Sequence, residues 1–352
     1  MSVPPASLSA IAARVEARLA AVLAAEEQRW SAFDEDLAEP VREIGRLVLG
    51  GGKRLRPAFA HWGYVAAGGD PADQIVVDAG AAFELMHAFA LFHDDVMDDA
   101  ASRRSQPTTH VRFARLHAGE QWAGEARRFG EGMAILVGDL AFVYADQLMA
   151  HANAAAWRIW NELRIELNVG QLLDIVGSVR NDRRREKAER ICRYKSGKYT
   201  IERPLHLGAV LAAPHREPEL LPALSGYGLP LGDAFQMRDD VMGAFGDPAI
   251  TGKPVGGDLR EGKPTPLMAM ATESATPAQA EVLALVGRAD LGDDDVAAVQ
   301  QAIIDTGALG ELETIIQRLS SEAVAAIGRA PITAAARDEL IALADYVTRR
   351  QF

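Results

Sequence analysis

The sequence predicts an all-α fold, and three observations carry that reading. Alanine and leucine are abundant while β-branched runs are rare, a composition that favours helix over strand. Apolar residues recur at helical spacing along almost all of the 352 residues. No alternation of strand type extends beyond a few residues. Breakers cut the pattern at Gly50-Gly51-Gly52, at Gly68-Gly69-Asp70-Pro71, from Arg103 to Pro107, from Pro214 to Pro222 and from Gly246 to Pro266. The intervals between them accommodate about ten helices or more. No shift of composition marks a boundary, so residues 1–352 are expected to form a single domain.

Taken in order, Ile11, Val15, Leu19, Val22 and Leu23 make a first apolar stripe, and Val41, Ile44, Leu47 and Val48 a second. The glycine run then leads into Lys53-Arg54-Leu55-Arg56-Pro57, which opens the next helix. Glu84 to His93 is an apolar helix entering a buried environment, and it ends in Asp94-Asp95-Val96-Met97-Asp98-Asp99. Val111 to Gly132 is richer in charge and glycine and reads as a long loop or short helices. Ile135, Leu136, Leu140, Val143 and Leu148 form a third stripe. Lys195-Ser196-Gly197-Lys198 lies within or near a helix. The apolar stretch from Gly228 ends in Arg238-Asp239-Asp240-Val241-Met242, a second copy of Asp-Asp-Val-Met. The duplication does not extend into a general repeat.

A net charge of −12 argues against general nucleic-acid binding. Cys192 is the only cysteine, which excludes an internal disulfide and a cysteine-based zinc site and fits a reducing cytoplasm. Arg14, Glu16, Arg18 and Glu26 interrupt the N-terminal apolar stretch, so it does not read as a signal peptide. No apolar run reaches the roughly 18 uncharged residues of a membrane span. The expectation is a soluble cytoplasmic protein without a stable membrane anchor.

The chemistry resides in the acidic copies and the cations around them. Asp94 with Asp98, and Asp95 with Asp99, are pairs four apart on adjacent helical faces, and such carboxylates repel one another unless a cation sits between them. Hard oxygen donors of this kind suit Mg²⁺ or Mn²⁺. Arg103 and Arg104 follow closely, and guanidinium forks beside a metal cluster make sense if a diphosphate bridges both. Asp239 and Asp240 repeat the theme after Phe235-Gln236-Met237. Lys53, Lys195, Lys198, Lys253 and Lys263 lie in glycine-bearing segments of the kind that bind phosphate. No GxxxxGK[ST] loop is present, so a P-loop nucleotide site is not supported.

The ordered set GGKRLRP, HDDVMD, RR, GQLLD, YKSGKYT, FQMRDD and GKPVGGDLREGK, running from Gly51 to Lys263, resembles the trans-isoprenyl diphosphate synthases, or polyprenyl synthetases. The resemblance implies an isoprenoid synthase-type bundle of long helices around a central cavity, usually a homodimer. It also implies the substrates, isopentenyl diphosphate and an allylic prenyl diphosphate. Asp94, Asp95, Asp98 and Asp239 would hold three Mg²⁺ on the allylic diphosphate, with Asp240 supporting them. Arg103, Lys195 and Lys253 would contact the same diphosphate. Lys53, Arg56, His87 and Arg104 would hold isopentenyl diphosphate. Ser196 keeps the hydroxyl of the family's Lys-Thr pair, Gln171, Asp174 and Gln236 match further cavity positions, and Lys263 matches the basic residue of the closing loop.

One departure is Gly243, where the family's second motif usually has its third aspartate. Product length in the family is a matter of cavity depth, set by bulk one to two turns before the first aspartate. Met86, Phe89 and Ala90 occupy those positions here, one aromatic beside a small residue, which favours geranylgeranyl diphosphate, with farnesyl diphosphate next. A class I terpene cyclase would share the first motif but needs a second metal motif in four-residue steps, which fails at Arg185 in Asn181-Arg185-Glu189. A di-iron bundle would need two Glu-x-x-His motifs, and only Glu84 to His87 fits. A non-catalytic subunit would be expected to have lost its aspartates.

Overall fold

The computed structural model describes residues 4–103, 106–180, 184–246, 256–288 and 290–349. Arg104, Lys253 and Asn181 lie outside them. Among the described residues there are sixteen α-helices and one antiparallel pair of two-residue strands, Ser102–Arg103 with Gln106–Pro107. The fold is therefore all-α, as periodicity and composition predict. The chain divides into two compact units, one of Ala6–His61 with Gly69–Ala154, the other of Trp62–Gly68 and the chain from Ala155 onward.

The N-terminal unit holds α1 (Ala6–Ser31), α2 (Ala38–Leu49), the first part of α3 (Leu55–Ala66), α4 (Gln74–Met97), α5 (Thr109–Gly119) and α6 (Ala126–Leu148). Leu8, Ile11, Val15, Leu19 and Leu23 form the buried face of α1, close to the stripe read from the sequence. That face reaches α4 closely because Gly80 has no side chain: a Cβ there would stand 2.9 Å from Val15. By length and composition α4 could cross a membrane, yet two-thirds of its most apolar stretch is buried within the protein. The charged segment from Val111 to Gly132 is short helices, α5 and the start of α6.

On α6 the bulky apolar stripe is not the buried face. Ile135, Leu136 and Val143 are 43%, 59% and 51% exposed. The buried face is instead Gly130, Ala134, Val137, Gly138, Ala141 and Ala145 with Tyr144 and Leu148. Small residues are required there because the helices nearly touch. A Cβ on Gly130 would lie 2.1 Å from the His110 carbonyl, and one on Gly138 2.4 Å from the His93 ring.

The C-terminal unit is arranged along α10 (Glu217–Phe245), which runs through Pro222 and Pro230. Before it come α7 (Ala154–Val179), α8 (Arg185–Ile191), a π-helical segment (Cys192–Glu202) and α9 (Arg203–Ala212). After it come α11 (Gly257–Glu261), α12 (Pro266–Ser274), α13 (Pro277–Leu283), α14 (Asp293–Asp305), α15 (Ala308–Arg329) and α16 (Ala334–Thr348). Met237, Val241, Leu267, Val299, Leu312 and Ile316 belong to one apolar core. The fully buried Tyr227 hydroxyl donates to the Leu340 carbonyl at 2.7 Å and pins α10 to α16.

Candidate active site

In the N-terminal unit the site starts at the glycine run. Gly51 and Gly52 have φ of +89° and +157°, a turn that delivers the chain into α3. Arg54 is the anchor of this turn. It is buried, itself at φ +48°, and donates to Glu84, to Glu16 at 2.9 Å and to the Val48 carbonyl at 2.5 Å. Its neighbours Lys53, exposed, and Arg56, half-buried in the first turn of α3, are thereby held in place.

On α4, His87 precedes Asp94 by seven residues, which brings both to within about 20° on the helix surface. Asp95 is 4% exposed and receives the fork of Arg103, Nε at 2.9 Å and Nη2 at 2.7 Å on Oδ1. Arg103 also reaches Asp94 at 3.9 Å. Burial pushes the Asp95 carboxyl up, with the Asp94 charge adding to the effect and Arg103 opposing it. The helix ends at Met97, so the four aspartates do not share one helical stripe. Asp98 caps it, its N–H donating to the Asp94 carbonyl at 2.8 Å. Asp99, at φ +50°, leaves the helix toward Arg127 at 3.7 Å. Met86 is fully buried, while Phe89 and Ala90 are half-buried. Phe89 packs against His93 and against Phe142 of α6, ring centroids 4.7 and 4.8 Å apart.

In the C-terminal unit, Lys195 donates to Asp174 at 2.5 Å, and Ser196 follows it in the π-helical segment. Gln171 lies three residues before Asp174 on α7. On α10, Asp239 is exposed and Asp240 buried. Gln236 donates to Asp240 Oδ1 at 2.9 Å, and the buried Cys192 thiol approaches Oδ2 at 3.9 Å. Burial raises the Asp240 carboxyl well above its usual range. The Gln236 hydrogen bond opposes the rise, and the charges of Asp258 and Asp239 add to it. Arg238, between the aspartates and the apolar run, is structural: it binds Glu313 at 2.5 and 2.6 Å and the Thr348 carbonyl at 2.9 Å.

Asp258 is not marked in the sequence, where its segment stands out only for its glycines and lysines. A Cβ at Gly243 would stand 1.9 Å from Asp258 Oδ2 and 2.4 Å from its Cγ. The carboxylate of α11 thus fills the space a side chain at position 243 would enter, and Lys263 lies 3.3 Å from it. The missing aspartate of the second motif is matched by an acidic group from another helix. Arg54, Phe142 and Glu166 likewise gain their place only from the fold. Only Glu166 left a signal, the four-residue spacing Glu166, Gly170, Asp174.

Among the described residues no three carboxylate, imidazole or thiol groups converge at metal-binding distance. Asp95 is held by Arg103, and Asp98 and Asp99 lie beyond the end of the helix.

A family model for polyprenyl synthetase matches residues 38–303. The chain is 33% identical to a geranylfarnesyl diphosphate synthase of Aeropyrum pernix, over 86% of this chain and 92% of the relative. It is 32% identical to a geranylgeranyl diphosphate synthase of Mycobacterium tuberculosis, over 90% and 89% of the two chains. Among solved structures it superimposes with a TM-score of 0.91 on a geranylgeranyl pyrophosphate synthase from Corynebacterium glutamicum in complex with isoprenyl diphosphate and magnesium. The two are 37% identical, and the match covers 98% of this chain and 99% of that one.

Proposed function

The chain belongs to the polyprenyl synthetase family and is a trans-prenyltransferase of isoprenoid biosynthesis, and from that premise we propose that it makes geranylgeranyl diphosphate, with Mg²⁺, as a cytoplasmic homodimer. The family joins isopentenyl diphosphate to an allylic diphosphate. One observation carries the reading for this chain. Both Asp-Asp-Val-Met copies stand at or near the ends of long apolar helices, and cations are held on carboxylates nearby: Arg103 on Asp95, Lys195 on Asp174 and Lys263 on Asp258.

The donor chemistry fits a hard divalent ion. All donors are carboxylate oxygens, and the buried Asp95 and Asp240 lie where a cation is the fitting countercharge. Asp94, Asp95, Asp98 and Asp239 would hold three Mg²⁺, with Asp240 in support, and Mn²⁺ shares the preference. When bound, Mg²⁺ supplies positive charge that stabilises departing pyrophosphate. Arg103, Lys195 and Lys253 add fixed cationic charge at the same allylic diphosphate. Ser196, Gln236 and Lys263 complete that end, and Lys53, Arg56, His87 and Arg104 bind isopentenyl diphosphate. The allylic C–O bond breaks to a carbocation sheltered from water by apolar walls. The isopentenyl double bond attacks it, and the released pyrophosphate takes the proton.

Phe89, braced by Phe142 and His93, supports a limited chain length, and Ala90 leaves room beside it. Farnesyl diphosphate is the second reading, favoured if the braced Phe89 closes the cavity one unit earlier. Incubation with Mg²⁺, isopentenyl diphosphate and dimethylallyl, geranyl or farnesyl diphosphate, followed by mass analysis, tests this. Geranylgeranyl diphosphate from every primer is expected; an end product one unit shorter selects the second reading, and longer chains contradict Phe89 as a floor.

Homodimer formation is supported by the exposed apolar residues Ile135, Leu136 and Val143 on α6, and by Ile165, Val169, Leu172, Val176 and Val179 on α7. The single, buried cysteine supports a cytoplasmic location, and the charge of −12 supports the absence of a nucleic-acid partner.

A further inference from the structure

From Arg185 to Ala212 the chain is one continuous helix whose middle, Cys192–Glu202, is π-helical for 11 residues. π-Helix occurs mostly as single-turn insertions and is frequent at functional sites, so a run this long requires a cause in its surroundings. The wide turn is explicit in the backbone: the Arg203 N–H donates to the Lys198 carbonyl, five residues back.

One face of α7 meets this segment at three successive turns, through Glu166, Gly170 and Asp174. Glu166 is buried and accepts from the Lys198 ammonium and twice from Arg203, Nε to Oε2 at 2.6 Å and Nη2 to Oε1 at 2.7 Å. At Gly170 the backbones touch, since a Cβ there would lie 2.5 Å from the Lys195 nitrogen. At Asp174 the carboxylate takes the Lys195 ammonium at 2.5 Å. On the other side, a Cβ on Gly232 of α10 would lie 2.8 Å from Gly197 Cα. Burial opposes ionisation of Glu166, but hydrogen bonds from Arg203 and Lys198 outweigh it and hold the carboxyl below its usual value. The group is an anion gripping two cations.

The spacing of those cations decides what the grip does. Lys198 and Arg203 are five residues apart. In an α-helix they would point about 140° apart around the axis, too far for one carboxylate to take both. With hydrogen bonds closing on the fifth residue, the angle between them falls to about 50°, within one face of the helix. The carboxylate therefore favours the π register over the α register. A return to α would rotate Lys195 and Ser196, which lie just upstream, away from Asp174.

We propose that Glu166 is a positioning residue for the allylic-diphosphate end of the site: its clamp on Lys198 and Arg203 holds the π register that keeps Lys195 beside Asp174. The inference rests on the prenyl-transfer reading of Lys195. Its test is steady-state kinetics of Glu166→Gln with each substrate varied in turn, alongside circular dichroism. The KM for the allylic diphosphate should rise about tenfold while that for isopentenyl diphosphate stays within about twofold, because Lys53 in the glycine turn, Arg56 on α3 and His87 on α4 belong to other elements. Arg203→Lys, which keeps the positive charge but loses the fork, should show the same split more weakly. Active wild type with an unchanged allylic KM in Glu166→Gln overturns the proposal, as does an equal rise in both KM values. Failure of both variants to fold also overturns it, by making Glu166 a residue of the fold. Wild type that consumes no allylic primer refutes the prenyl-transfer reading itself, and the inference falls with it.

Discussion

Replacing Gly243 by alanine should destabilise the C-terminal unit, the reverse of what that change does in an ordinary helix. Gly243 lies inside α10, where glycine normally costs about 0.5–1 kcal/mol relative to alanine. The added Cβ would stand 1.9 Å from Asp258 Oδ2 and 2.4 Å from its Cγ, distances no real contact shows. Asp258 is too short to yield by bending at its tip. It must rotate about its own Cα–Cβ bond, giving up its place 3.3 Å from Lys263, or α11 must move. Overpacking of this kind costs roughly 1–3 kcal/mol, which exceeds the gain in helix propensity. Thermal unfolding followed by circular dichroism should show Gly243→Ala melting several degrees below wild type. In an Asp258→Ala background the same change should become neutral or stabilising, since the two residues then no longer collide. A Gly243→Ala protein as stable as wild type would refute the reasoning, because Asp258 would then occupy that space by default and not by fit.

Three further outcomes follow from the same geometry. Phe89→Ala should lengthen the product, and Phe142→Ala should do so as well if it braces Phe89; an unchanged product distribution in both, read by mass analysis, counts against the floor. Leu136→Asp should convert a dimer to monomer in light scattering after size exclusion, whereas an unaltered mass removes α6 from the interface. His61 and His206 are buried neutral, with pKa values lowered to about 4 and about 3, chiefly by desolvation. Unfolding lets both take up protons below about pH 6.5, so stability should fall as the pH drops from there, by up to about 1.4 kcal/mol per pH unit for each histidine. His61→Gln with His206→Gln should flatten that slope in denaturant titrations between pH 6.5 and 5, and an unchanged slope would show that neither histidine is responsible.

The helices and the motif order were legible in the sequence because both are local. A period of 3.6 marks α1 and α2 correctly, and DDVM followed by cations marks the candidate site and the family. What escaped was set by packing partners. On α6 the bulky Ile135, Leu136 and Val143 read as a core face, yet the buried face is mostly glycine and alanine, because α5 at Gly130 and α4 at Gly138 leave no room for a side chain. Asp258 could not be linked to Gly243 without knowing that α11 folds back on α10. The π-helical register of Lys195 depends on Glu166, more than one helix away, and nothing in the local run YKSGKYT announces it. Arg238 stands beside the two candidate aspartates but serves Glu313 and Thr348, which adjacency in sequence conceals.

Pyrophosphate release is the most direct measure of the central claim. Wild-type protein with Mg²⁺ should release pyrophosphate only when isopentenyl diphosphate and an allylic diphosphate are both present, in a one-to-one ratio with new C–C bonds. Asp239→Asn should slow it by roughly 10²–10³-fold without loss of folding, the scale expected when charge stabilisation at a departing group is removed. Release that proceeds without isopentenyl diphosphate at the same rate, or that is indifferent to Asp239, would contradict prenyl transfer at this site.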